Sequence, residues 1–217
     1  MIAVRAYSTG ARALICLIFL GLTGCGVLQA PVRPVVYDFG PGAVVPAKLS
    51  LVAPMPAHLP ALVLAEVEAT AALDTPAVLY RLAYSDAQQL RPYAQARWSM
   101  PPAQLLRQRL RENLGQQRMV LAPGEGVAAG HPALTLRVVL EEFSQLFDTA
   151  EQSQGLVRLR ATLSHYHGGA ERVLAQRSFV VQRPAGAADA AGGVRALTEA
   201  SDALIVDVAQ WLQDNGK

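Results

Sequence analysis

The chain has 217 residues, 52% of them apolar, with 19 Lys and Arg against 17 Asp and Glu. That length fits one domain with a tail, and half-apolar composition allows a sizeable core. Arg5 and Arg12 account for the whole formal surplus of +2, so charge gives no basis for binding nucleic acid or an anionic membrane surface.

Those two arginines precede an almost unbroken apolar run over 13–22. The run is about as long as a signal-peptide core and too short to span a bilayer comfortably. Leu22-Thr23-Gly24-Cys25 follows and reads as a lipobox. Small residues precede the cut, where a peptidase holds the chain extended in a narrow groove, and the Cys25 thiol takes a diacylglycerol through sulfur. Residues 1–24 are then a signal peptide, and Cys25 begins a mature chain carrying palmitate-type acyl groups. Two other readings stay open: a signal peptide cut elsewhere with Cys25 unmodified, and an uncleaved membrane anchor. Cys16 leaves with the signal, so the mature chain has no thiol pair for a disulfide and no catalytic thiol. After Leu22 no apolar stretch is long enough to span a membrane.

Residues 25–60 read as a lipidated, Pro/Gly-rich tether. Pro31, Pro34, Pro41 and Pro46 break helices and favour extended polyproline geometry, and Pro54, Pro56 and Pro60 leave strand structure before residue 60 in doubt. Tyr37-Asp38-Phe39-Gly40-Pro41 is too aromatic for a pure spacer and reads as a segment that docks on the domain.

Residues 61–217 read as one α+β domain. Leu62 to Val67 is a buried strand, and Val78 to Tyr84 alternates as a strand with one mainly apolar face. Ser85 to Arg91 is polar and loops back to a short strand over Pro92 to Trp98. Pro101 and Pro102 open a helix whose Leu106, Leu110 and Leu114 stack at spacing four before Gly115 closes it. Its Arg107, Gln108, Arg111 and Glu112 form a solvated face. A short strand over Met119 to Leu121 leads into a Gly-rich loop over Pro123 to His131. Leu134, Leu136, Val138 and Leu140 then alternate, but Phe143 and Phe147 fall on odd positions. A period of two changes face only through an extra residue, which predicts a β-bulge near Glu141-Glu142. Val157, Leu159, Ala161 and Leu163 line the next strand, His167 to Ala170 turn, and Val173 to Gln182 return. The last helix starts near the N-cap Asp189, or just after Gly192-Gly193, and runs to about Gln213. The sum is an antiparallel sheet carrying two principal helices, one mid-chain and one long and C-terminal.

Three segments, in order, carry a family resemblance. Tyr80-Arg81-Leu82 precedes Tyr93 and Arg97-Trp98-Ser99-Met100-Pro101-Pro102; Leu140-Glu141-Glu142-Phe143-Ser144-Gln145 precedes Phe147; Phe179 precedes Ala188-Asp189-Ala190, Ala196-Leu197 and Trp211-Leu212. With the lipobox and the Tyr37 to Pro41 segment, the chain resembles the PqiC-like auxiliary lipoprotein component of ABC-type transport systems. The resemblance implies a non-enzymatic periplasmic adaptor, held in the membrane by its lipid. Its implied partners are an MCE-domain protein and an ABC permease and ATPase, in a system that moves lipids or other hydrophobic molecules between the inner and outer membranes. It also implies a homo-oligomer. Gly26 stands where aspartate would retain a lipoprotein at the inner membrane, which favours the outer membrane. The competing reading is a structural envelope lipoprotein that assists assembly of an outer-membrane complex.

No catalytic, cofactor or metal set stands out. No P-loop, G-x-S-x-G or G-x-G-x-x-G is present. His165 and His167 flank Tyr166 and could chelate from one strand face, but no Asp, Glu or Cys nearby completes a ligand set. Glu141 and Glu142, as strand neighbours, are expected on opposite faces. Arg97-Trp98 has two readings: an exposed anchor for a partner, or a structural tryptophan packed at the helix entrance with the arginine over it.

Overall fold

The computed structural model describes residues 33–42, 59–125, 134–167 and 170–216. The lipobox, most of the 123–131 loop and the glycines of the 167–170 turn lie outside them. Strand β6 (Leu134–Phe147) carries the fold. One of its edges pairs antiparallel along its length with β7 (Ser153–His167). Its other edge is shared. The first half pairs with β2 (Leu59–Ala69) and the last three residues with β3 (Ala77–Leu82), both parallel. β5 (Arg118–Leu121) extends β2 in parallel. β4 (Ala87–Trp98) returns antiparallel to β3 through the four-residue α1 (Ala83–Asp86), and β1 (Val35–Tyr37) lies parallel to β4. β8 (Ala170–Pro184) closes the antiparallel side against β7. The widest path is β1-β4-β3-β6-β7-β8, so β1 and β8 are opposite edges.

Helices α2 (Pro102–Leu114) and α3 (Ala190–Asn215) cover one sheet face and touch each other. α2 lies over β2 and β5, and α3 over β6, β7 and β8. Leu197, Leu204, Val208 and Leu212 of α3 are fully buried in the shared core; each contributes roughly 1.5–3 kcal/mol of burial. No described helix is long and apolar enough to cross a membrane.

The α+β class and both principal helices are as expected, but the sheet is mixed, with four parallel pairings. Alternation reports which face a residue takes and is the same for either strand direction. β1 forms well before residue 60, as an edge strand on β4. The polar 87–91 stretch extends β4 instead of looping. Pro92 is accommodated within β4 because β1 pairs only with Ala96 to Trp98, leaving an open edge beside the proline.

The bulge lies where parity changes. Leu140 faces Leu159 and Glu142 faces Arg158, so Glu141 is the extra residue. Phe143 and Phe147 thereby keep the buried face. The bulge also suspends alternation, so both glutamates turn to the helix-free face, contrary to expectation. Glu141 accepts from Arg160 and lies 3.7 Å from Arg158; Glu142 pairs with Arg81 at 3.0 Å and accepts from the Ser144 hydroxyl at 2.8 Å. Each carboxylate is engaged by arginine, so the two form no acid/base couple.

Asp189 caps α3, its Oδ1 accepting from the Gly192 N–H at 2.7 Å. The helix begins at Ala190, directly after this cap and ahead of both glycines; Gly193 passes close to the Gln145 side chain, which a Cβ would strike. Gln145 is fully buried and satisfied: it donates to Ser153 Oγ at 2.7 Å and accepts from the Tyr93 hydroxyl at 2.8 Å. Burial pushes the Tyr93 phenol up to about 12, which keeps it protonated as the donor. α3 also approaches β7 closely at Gly155, where a Cβ would lie 2.5 Å from the Ala196 carbonyl carbon.

Gly155→Ala should therefore cost about 1–3 kcal/mol in urea denaturation. Gly186→Ala, with nothing within 4 Å of its Cβ, should stay within about 0.5 kcal/mol. On the helix-free face, the Ser164 hydroxyl and Arg137 hold the Glu171 carboxyl below its ordinary value. A depressed folded value means the contribution is present above the ordinary carboxylate range and is lost as pH falls through the folded value. Amide exchange at Ser164 and Arg172, corrected for intrinsic rates, should rise over that fall, and Glu171→Gln should abolish the dependence.

Candidate functional site: the dock for the N-terminal segment

The stretch from Val35 to Gly42 is built onto the domain. Val35, Val36 and Tyr37 pair with Ala96, Arg97 and Trp98, and the Tyr37 carbonyl accepts from the Ser99 N–H at 2.7 Å, prolonging the ladder. Asp38 Oδ1 then accepts from the Gly40 N–H at 2.7 Å, which turns the chain. Gly40 and Gly42 take φ of 66° and 72°, in the left-handed region that favours glycine. The turn drives Phe39 into the core. Its ring meets Trp98 edge-on at 5.6 Å and stacks on Phe143 at 6.1 Å, and Trp98 contacts Phe143 at 5.6 Å.

Arg109 locks this segment. It projects from α2 and is only 9% exposed. Its Nη2 donates to the carbonyls of Phe39 and Gly40, the latter at 3.3 Å. Its Nε lies 3.3 Å from Asp202 Oδ1 on α3, and its Nη1 is 3.8 Å from Glu112. One guanidinium thus ties the N-terminal strap to both helices, and a Cβ at Gly42 would strike it. Burial raises the Asp202 carboxyl, an effect the Arg109 charge opposes.

Trp98 is 1% exposed and forms the floor of the Phe39 socket. It is a structural tryptophan and offers no surface to a partner. Arg97 is exposed, opposite Val36 in the β1–β4 pairing. Leu22, Thr23, Gly24 and Cys25 lie outside the described residues. His165 is half-buried on β7 and the His167 side chain lies outside them, so the chelating-pair reading goes no further. Among the described residues no group of three or more His, Cys, Asp or Glu is placed to hold a metal. Arg109 had a signal in the sequence. It sits three residues after Leu106 on the apolar stripe of its helix, where a charge needs a buried partner.

A model of the ABC-type transport auxiliary lipoprotein component family matches residues 45–209. The chain belongs to that family. That family is one of auxiliary transport components and is not a catalytic family. Its lipoprotein class implies membrane anchoring on the periplasmic side. The match includes the domain side of the dock, Trp98, Arg109, Phe143 and Asp202, but begins after the strap. A Xanthomonas campestris protein of the DUF330 family shares the fold of the auxiliary lipoprotein at TM-score 0.63 and 20% identity, over 76% of this chain and 90% of that one. An uncharacterized protein does so at TM-score 0.60 and 17% identity, over 83% and 99%. No curated protein sequence matches the chain.

Arg109→Ala should cost about 2 kcal/mol, the scale of a charged hydrogen-bond set. Limited proteolysis should then cut the strap at 38–42 faster than in the parent. Arg107→Ala, whose Glu66 partner is largely exposed, should cost under about 1 kcal/mol and leave the strap resistant.

Proposed function

We propose that the auxiliary lipoprotein is acylated on Cys25, within the lipobox Leu22-Thr23-Gly24-Cys25, and anchored in the outer membrane facing the periplasm. It serves as a non-enzymatic adaptor of an MCE-type ABC system that moves lipids between the membranes. The observation that carries this reading is the family membership. The built dock for the strap supports it, because a mere spacer has no need of an aromatic socket and a buried arginine. Residues 1–24 are the signal peptide on this reading. Residues 25–34 then link the acylated cysteine to β1, which pairs with β4.

Val35 follows Cys25 by ten residues, so the β1 edge sits within roughly 35 Å of the lipid at about 3.3–3.6 Å per extended residue. Each buried acyl methylene adds about 0.8 kcal/mol, so several chains make release negligible. Gly26, in place of aspartate, favours the outer membrane. The MCE-domain protein and the permease and ATPase are the partners on this reading.

Cys25→Ser should move the protein from the outer-membrane fraction to the soluble periplasm, and the parent should yield the MCE subunit on detergent co-purification. A variant that stays tightly membrane-bound contradicts the acylation. Parent material that repeatedly lacks any MCE subunit contradicts the transport assignment.

A further inference from the structure

We propose that β8 is a docking edge that receives an extended, acidic and apolar segment of a partner protein as an added strand. The inference deepens the adaptor reading and rests on it for the existence of a partner.

β8 is fifteen residues long. Among the described residues it pairs with β7 alone, so its outer edge carries unpaired backbone groups. A shift in register opposite Leu163 and Ser164 leaves Leu174 as an extra residue, and Ala175 to Pro184 then run regularly beyond it. The strand exposes Val173 at 58%, Leu174 at 42% and Val180 at 56%. Its one acid, Glu171, is already held by Ser164 and Arg137. Arg172, Arg177 and Arg183 are exposed and have no carboxylate partner among the described residues, whereas Arg137, Arg158 and Arg160 on the neighbouring strands do.

Charge selects the occupant. A second copy laid along this edge would set arginines beside arginines. An acidic strand would complement them, with main-chain hydrogen bonds supplying affinity and alternate side chains specificity. β8 lies on the opposite edge of the sheet from β1, about 24 Å away across six strands spaced roughly 4.8 Å.

The test uses the full-length acylated protein in detergent and two synthetic end-blocked ten-residue peptides, one alternating glutamate with valine and one alternating lysine with valine. Amide exchange at 170–184 should slow with the glutamate peptide, which should bind about tenfold more tightly than the lysine peptide at low salt. Replacing Arg172, Arg177 and Arg183 together by glutamate should invert that preference. The wild-type comparison stands even if the triple variant does not fold. Equal binding of both peptides, or no slowing within β8, overturns the proposal. So does slowing that rises with protein concentration alone, which would mark self-association, or slowing on anionic vesicles but with neither peptide. A positive peptide result without any MCE subunit on co-purification would retain the edge and remove the transport reading, so the two fail separately.

Discussion

A single guanidinium joins the N-terminal strap to the domain. Arg109 comes from α2, receives Asp202 from α3, and donates to two strap carbonyls seventy residues earlier in the chain. Burying a charge is costly unless its hydrogen bonds are made. The strap supplies those acceptors, and that requirement fixes its path. Phe39 adds the apolar half of the same contact. With both in place, the path of the strap over the domain is set by the core.

The frame that makes this contact available is β6. Because β2 and β3 share one of its edges and β7 takes the other, a single strand sets the position of all its neighbours. The bulge at Glu141 keeps Phe143 on the buried face, under Phe39 and Trp98. Without that extra residue Phe143 would turn to the solvent face and the socket would lose one of its three rings. The same irregularity gathers Glu141 and Glu142 on the opposite face, where arginines neutralise them. A packing requirement on one side of the sheet thus dictates the charge pattern on the other.

Much of this was legible in the amino-acid order. The parity change between Leu140 and Phe143 located the bulge, Asp189 marked the start of α3, and the aromatic character of Tyr37 to Pro41 separated it from a spacer. What escaped did so for physical reasons. Alternation gives faces but not strand direction, so the parallel pairings of β2 and β3 with β6 were hidden. Gly192 and Gly193 weaken a helix by local propensity, yet tertiary approach to Gln145 requires a glycine at position 193. Arg109 falls on the apolar stripe of α2, but its strap and α3 partners lie far away in sequence, so nothing local names them. Trp98 carried two readings from sequence alone, and only the socket decided between them.

The central claim is that the strap stays seated while the lipid holds the protein at a membrane. Hydrogen exchange of the acylated protein in bilayers tests it most directly, read at the Ser99 amide that donates to Tyr37 and at the Gly40 amide that donates to Asp38. A seated strap predicts both amides protected, with Ser99 exchanging as slowly as its neighbours in β4. Exchange of both at the rate of an unstructured chain, with the rest of the sheet still protected, would contradict it.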